Sequence, residues 1–137
     1  MSDKKIHLKI ITHEKIVYEN DIDELYCTGI DGSFGILPDH TPFMSALAIG
    51  VAKTVIDGKN DYFAVIGGVL QFMNNNAVIL SEEAENGKDI DLTVAKAEKE
   101  RLEARIGSPE AQKNIQAENK ALAMALARFK AAMNQTN

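Results

Sequence analysis

One cysteine, Cys27, is present in 137 residues, and that scarcity removes whole classes of chemistry. An internal disulfide needs a second thiol, and a cysteine-cluster metal site needs several. A redox role would need a stabilised thiolate, and the neighbours of Cys27, Tyr26 and Thr28, carry no positive charge. Cys27 reads instead as a small core-facing strand residue. Long apolar runs are missing too: nothing approaches the roughly eighteen residues of a membrane-spanning helix. The opening stretch, MSDKKIHLKI, has neither a secretory apolar segment nor the Arg/Ser richness of a transit peptide. The chain is therefore expected to begin in the compartment where it works.

Catalytic signatures are equally scarce. There is no G-x-x-x-x-G-K-[ST] phosphate loop. Ser33, Asp39 and His40 are hydrolase ingredients, but no G-x-S-x-G elbow surrounds the serine. His7, His13 and His40 lack metal-ligand spacing with cysteine or carboxylate. Glu82, Glu83 and Glu85 read as a solvated segment rather than an acid/base pair. The expectation is a non-enzyme with no metal and no cofactor.

What is present falls into two halves. Hydrophobic residues make up 45% and charged residues 26%, a globular balance. Residues 1–86 hold 6 Lys/Arg and 13 Asp/Glu, net −7, while residues 87–137 hold 9 and 7, net +2. The acidic total argues against nucleic acid as a partner. In the first half the period is two: Ile6, Leu8 and Ile10 point one way, His7 and Lys9 the other. KIVYEN, DELYCTG, VAKTVID, DYFAVI, VLQFM and AVILS follow as short strand-like runs. Asp57-Gly58-Lys59-Asn60 and Asn74-Asn75-Asn76 supply turns with positive φ, and Gly67-Gly68 marks a bulge or close backbone approach. This pattern predicts an antiparallel β-sandwich or flattened barrel over residues 1–86, within an α+β chain.

Over residues 87–137 the period becomes helical. DLTVAKAEKERLEARI predicts a helix over 91–106 with Asp91 as N-cap. Gly107 is expected in the left-handed position that ends it, Ser108 as the next cap, and Pro109 in the first turn of a helix over about 110–134. On that helix Ile115, Leu122, Leu126, Phe129 and Met133 form one apolar stripe, and so short a connector makes an antiparallel two-helix hairpin. Residues 121–132 contain six alanines, strong helix formers that bury little area each. A detachable hairpin and a permanently packed one both fit this composition.

The stretch from Gly29 to Gly50, GIDGSFGILPDHTPFMSALAIG, resembles the signature of the epsilon subunit family of F-type ATP synthases, which includes the mitochondrial delta subunit. The shared frame is Gly32, Gly35, Ile36, Leu37, Pro38, His40, Pro42, Leu47 and Gly50. FAVIGGVLQFMNNNAVILSEEAE resembles the family's last strands, and the hairpin follows where the family has it. The resemblance implies a non-catalytic central-stalk subunit that clamps gamma to the ring of c subunits, on the cytoplasmic face of a bacterial membrane and peripheral to it. The ion driving synthesis would be a proton or sodium. The glycine- and proline-rich stretch reads either as a projecting rigid loop carrying Phe34 and His40, or as a structural corner with Phe34 in the core and His40 on a backbone carbonyl. The family implies that Asp31, Gly32, Ser33, Phe34 and His40 face the c ring. It also implies a hairpin that extends into the alpha/beta catalytic head to inhibit ATP hydrolysis, with Arg101, Arg105, Lys113, Lys120, Arg128 and Lys130 as contacts; the alternative is a purely structural subunit with a permanently folded hairpin. Some bacterial members bind ATP in the folded hairpin through Ile/Leu-Asp-x-x-Arg-Ala and two helix-2 arginines. Here that arginine is Val94 and one helix-2 arginine is Met124, so of the positions Glu85, Asp91, Arg101 and Arg128 only a weak or inactive site is expected. A stand-alone adaptor and a small-ligand enzyme or sensor are the readings outside the family.

Overall fold

Alternation in IHLKI places Ile6, Leu8 and Ile10 in the core at zero exposure, and the same logic builds the first half of the molecule. The computed structural model describes residues 4–136. The strands are β1 (Ile6–Ile11), β2 (Ile16–Ile22), β3 (Glu24–Gly29), β4 (Gly32–Ile36), β5 (Phe43–Ile56), β6 (Lys59–Met73), β7 (Asn76–Leu80) and β8 (Glu83–Asn86). A 3-10 turn (Gly87–Asp89) leads to α1 (Leu92–Arg105), the short α2 (Pro109–Gln112) and α3 (Ile115–Thr136). The order is β2-β1-β7-β6-β5-β3-β4, with β8 also on β6. The sheet folds over on itself as a sandwich, and residues from all eight strands meet in one apolar cluster. Cys27 is inside it, where burial pushes its thiol up to about 12.

The pairing departs from a fully antiparallel sandwich at one place: β1 and β7 run parallel, in the register Leu8↔Ala77 and Ile10↔Ile79. Two long strands, β5 and β6, pass through the bend and serve both layers. β6 pairs with β8 over Phe63–Ile66 and with β7 over Val69–Met73, in the same register on both sides of the interruption. Gly67 and Gly68, at φ 67 and 114, stand at that interruption. A Cβ on Gly68 would sit 2.0 Å from the Leu80 carbonyl oxygen, so the close approach expected here is real and closed to any other residue. Ser81 fills the notch, its Oγ 2.8 Å from the carbonyl oxygens of both Gly67 and Glu83.

The turns follow their chemistry. Asp57-Gly58 joins β5 to β6 and Asn74-Asn75 joins β6 to β7, each pair with positive φ at both positions. Asp91 caps α1 through Val94 N–H, and Ser108 caps α2 through Ala111 N–H with Pro109 in its first turn. Three expectations change. Gly107 does not take positive φ; α1 closes at Ile106 in right-handed helical geometry. The second helix is interrupted at Lys113-Asn114, where Asn114 Oδ1 accepts from Ala117 N–H and starts α3 afresh. The residues of α3 that bury fully are Ala125, Ala127, Ala131 and Ala132, whereas Ile115, Leu122, Leu126 and Phe129 are half-buried and Met133 is 37% exposed. Small side chains win because α3 packs close to backbone: a Cβ on Gly87 would come within 2.5 Å of the Ala131 carbonyl oxygen.

Edge strand β2 is held by a polar clasp on the outer face. His7 Nδ1 is 2.7 Å from Asp21 Oδ1 and Nε2 is 2.7 Å from Glu19 Oε2, with Lys9 3.8 Å from Glu19. A neutral imidazole has one N–H, so both contacts are hydrogen bonds only in the protonated ring. The bonds to Asp21 and then Glu19 raise the His7 pKa above its ordinary 6.5, against a smaller opposing effect of burial. A raised folded pKa stabilises the fold fully below the unfolded value, and that stabilisation is lost as pH climbs through the folded value. The urea midpoint is therefore expected to fall as pH rises above about 6.5, and His7→Gln is expected to flatten that slope.

Candidate functional site

From Phe63 to Met73 strand β6 carries apolar residues on both faces, with exposed Gln71 the polar interruption, and its inward positions change parity at the Gly67-Gly68 notch. Phe63 and Val65 face the sandwich core, while Ala64 and Ile66 face the helices. Beyond the Gly67-Gly68 notch, Leu70 and Phe72 continue inward, but among the described residues nothing covers the outward phase. Val69 is 40% and Met73 54% exposed. The ladder extends this bare surface across five strands: Ala46 pairs with Val69, Val69 with Leu80, Leu80 with Ile11, and Ile11 with Ile16. The flanking Met44 is also exposed. One outer face thus carries a continuous apolar row bordered by the His7, Lys9, Glu19 and Asp21 cluster. An apolar row with a polar rim is the composition of a docking surface. Reading the sequence alone missed it, although VLQFM and AVILS carried the signal, being apolar in both phases.

The glycine-rich stretch is a hairpin rather than a loop. β3 and β4 pair from Leu25↔Ile36 to Gly29↔Gly32 around the two-residue turn Ile30-Asp31. Asp31, Gly32 and Ser33 are exposed at its tip. Phe34 and His40 do not project together. Phe34 is half-buried against the core and meets Phe43 edge-on at 5.1 Å. His40 stays exposed, but its Nδ1 is 2.8 Å from the Thr41 carbonyl oxygen, and its ring meets Phe43 and Phe72 at 5.8 and 5.9 Å. Phe34 thus packs inward while His40 lies at the surface against a backbone carbonyl, with Phe43 joining hairpin to return segment. Asp39, at φ 68, locks that segment: its N–H donates to Asn75 Oδ1 at 2.6 Å, and Asn75 Nδ2 returns a bond to Asp39 Oδ1 at 3.0 Å.

The six basic residues expected as contacts of the hairpin fall into three groups. Arg101 pairs with Glu98 at 2.8 Å and Arg105 with Glu118 at 2.9 Å, both within the hairpin. Lys120 pairs with Glu82 at 3.2 Å and Arg128 with Glu85 at 2.9 Å, both across to the sandwich. The Arg128 contact is loosely directed: Nε is not aligned for a hydrogen bond, and Nη2 reaches Glu85 only at 3.5 Å. Lys113 and Lys130 are exposed. The four positions Glu85, Asp91, Arg101 and Arg128 do not converge on one point. Glu85 engages Arg128, Asp91 is consumed as the α1 cap, and Arg101 is turned to Glu98. The cleft beside Arg128 is lined by Glu83, Glu85 and Glu98 with Leu102 and Met124. Val94 is 59% exposed.

Among the described residues no helix is long and apolar enough to cross a membrane. Comparison with known proteins places these features in a family. Residues 5–87 match the family model described as ATP synthase, Delta/Epsilon chain, beta-sandwich domain. An ATP synthase epsilon chain of Nitratidesulfovibrio vulgaris (strain DP4) is 37% identical over 128 residues, 93% of this chain and 96% of that relative. Those of Desulforamulus reducens and Syntrophomonas wolfei are 38% and 35% identical, covering 94% and 96% of this chain and 98% and 96% of theirs. The fold is shared with a chain in a Euglena gracilis mitochondrial ATP synthase structure of OSCP/F1/c-ring, at TM-score 0.77 and 20% identity over 97% of this chain and 82% of that one. A chain of the Tetrahymena thermophila mitochondrial central stalk/c-ring structure follows at TM-score 0.59 and 13% identity, over 96% and 99%. A sandwich of this topology with a helical hairpin, matched nearly end to end by named relatives, belongs to the ATP synthase epsilon chain family.

Proposed function

We propose that the chain is a non-catalytic rotor subunit of an F-type ATP synthase, clamping a gamma subunit to a ring of c subunits so that ion-driven rotation of the ring turns gamma. The observation that carries this reading is the bare apolar row Ala46–Val69–Leu80–Ile11–Ile16, which gives the sandwich a face for a protein partner. Gamma takes that face. The β3–β4 tip, with Asp31, Gly32 and Ser33, meets polar loops of the ring. Phe34 and His40 serve it indirectly, by bracing the hairpin against Phe43. The complex resides at the cytoplasmic face of a bacterial membrane, and the chain is peripheral to it. The helical hairpin acts as a brake on ATP hydrolysis when it leaves the sandwich for the alpha/beta head. Departure breaks the Lys120–Glu82 and Arg128–Glu85 pairs alone among the four ion pairs, freeing those two cations for acidic segments of the head.

A pull-down of gamma by the purified chain tests the coupling role. Val69→Glu combined with Leu80→Glu places two carboxylates in the middle of the row, on side chains already 40% and 51% exposed, so the fold is expected to stand. Capture of gamma is expected to weaken by at least about tenfold, since central interface positions commonly carry ~2 kcal/mol or more. Unchanged capture would place gamma elsewhere.

The residual nucleotide positions are proposed to bind ATP weakly or not at all. Val94 and Met124 stand where the family's ATP binders have guanidiniums, each charge-assisted bond being worth about 1.5–3 kcal/mol. Glu83, Glu85 and Glu98 line the cleft and repel phosphate. Equilibrium dialysis with labelled ATP at millimolar concentration is expected to show no saturation. Saturable uptake in the micromolar range would contradict this.

A further inference from the structure

The end of α3 is tied to the sandwich by a side-chain amide. Gln135 Oε1 accepts the Tyr62 backbone N–H at 2.8 Å. Its Nε2 donates to Asp61 Oδ1 at 3.2 Å and lies 3.4 Å from the Asn60 carbonyl oxygen. The position is telling. β8 stops at Asn86, opposite Phe63, so the edge of β6 from Tyr62 towards its start has no strand on that side. The Gln135 carboxamide offers one acceptor and one donor where the next peptide group of β8 would have been. Lys88 supports the arrangement by pairing with Asp61 at 3.0 Å.

Other contacts between hairpin and sandwich are weaker candidates for control. The fully buried α3 residues of the seam are Ala127, Ala131 and Ala132, each removing little area from water. Lys120 and Glu82 are 50% and 60% exposed, so salt screens their attraction. Arg128 meets Glu85 off-axis. By contrast the Tyr62 N–H lies in a partly buried place, and losing its acceptor leaves a backbone donor unsatisfied.

We propose that Gln135 is the latch of the hairpin: its amide completes the unpaired edge of β6 at Asn60–Tyr62, and making or breaking that pairing sets the balance between docked and released α3. The proposal rests on the reading that the hairpin leaves the sandwich, and adds the contact that governs when. Anything that competes for the same edge, such as an extended backbone segment of a neighbouring subunit, releases the brake arm at the latch, and the Lys120–Glu82 and Arg128–Glu85 pairs part as α3 leaves.

Amide hydrogen exchange on the full chain tests it. In Gln135→Ala, exchange of the α3 seam amides from residue 125 to 132 is expected to quicken about five- to tenfold, the equivalent of one unsatisfied hydrogen bond. Amides of β1 and β7 are expected to keep their wild-type rates. Gln135→Glu keeps an acceptor for Tyr62 N–H but removes the donor and sets a carboxylate beside Asp61, so it too is expected to quicken exchange of the seam. Asn134→Ala, at the exposed neighbouring position, serves as the control and should match wild type. Wild-type exchange in both Gln135 variants overturns the latch, as does equal acceleration by Asn134→Ala. Removal of residues 88–137 from the assembled enzyme judges the underlying reading separately. Unchanged ATP hydrolysis there removes the brake, whatever the exchange experiment shows.

Discussion

Strand β6 has to satisfy two neighbours at once, and the rest of the molecule is arranged around that demand. Its inward phase, Phe63, Val65, Leu70 and Phe72, belongs to the sandwich core. Its outward phase changes owner at the Gly67-Gly68 notch. Before the notch, Ala64 and Ile66 form the floor on which α3 rests. After it, Val69 and Met73 face outward and are exposed among the described residues. The notch exists because the Leu80 carbonyl oxygen passes so close to Gly68 that no Cβ fits. A single backbone constraint thus divides one strand into a seat for α3 and a bare apolar stretch.

The two apolar clusters share no residue, so the proposed departure of the hairpin would leave the sandwich core whole. Sandwich stability comes from large side chains fully removed from water, among them Phe63, Phe72, Ile6, Leu8 and Leu25. Hairpin docking comes from alanines, from Leu92, Met124 and Phe129 that are only partly buried, and from a few polar links. Apolar stabilisation scales with area at about 25 cal/mol per Å², so the second contact is much the weaker of the two. The hairpin keeps its own cohesion through Arg105–Glu118 and through Lys99, whose ammonium sits 4.9 Å over the Phe129 ring. These contacts would let the two helices leave the sandwich together, as the proposed release requires.

How much of this was legible follows from which interactions are local. IHLKI, Asp57-Gly58 and Asn74-Asn75 declared strand and turns because alternation and positive φ are properties of neighbouring residues. Asp91, Ser108 and Pro109 declared helix starts for the same reason. Strand β4 was hidden because Gly32 and Gly35 read as loop; it is a strand because β3 offers it partners. The first part of β5, FMSALAIG, was hidden similarly, with β6 supplying the ladder. The parallel pairing of β1 with β7 is non-local and leaves no local mark. The α3 stripe misled because the large residues Leu122, Leu126 and Phe129 suggested the buried face, whereas close packing against Gly87 selected alanine. At the site, the exposed tip residues and the bases of the hairpin were identifiable by type, but their partners Glu82, Glu85, Glu98 and Glu118 depended on the folded geometry.

Independence of the sandwich from the lever is the claim on which the whole account stands, and expressing residues 1–87 alone tests it most directly. With its core complete, the fragment is expected to unfold in one cooperative transition in urea and to keep the native amide spectrum of β1, β5 and β7, with changes confined to Tyr62, Ala64, Ile66 and their surroundings. A fragment with no cooperative transition, or with its tertiary signals lost throughout the sheet, would show that the helices are part of the core and not a detachable arm.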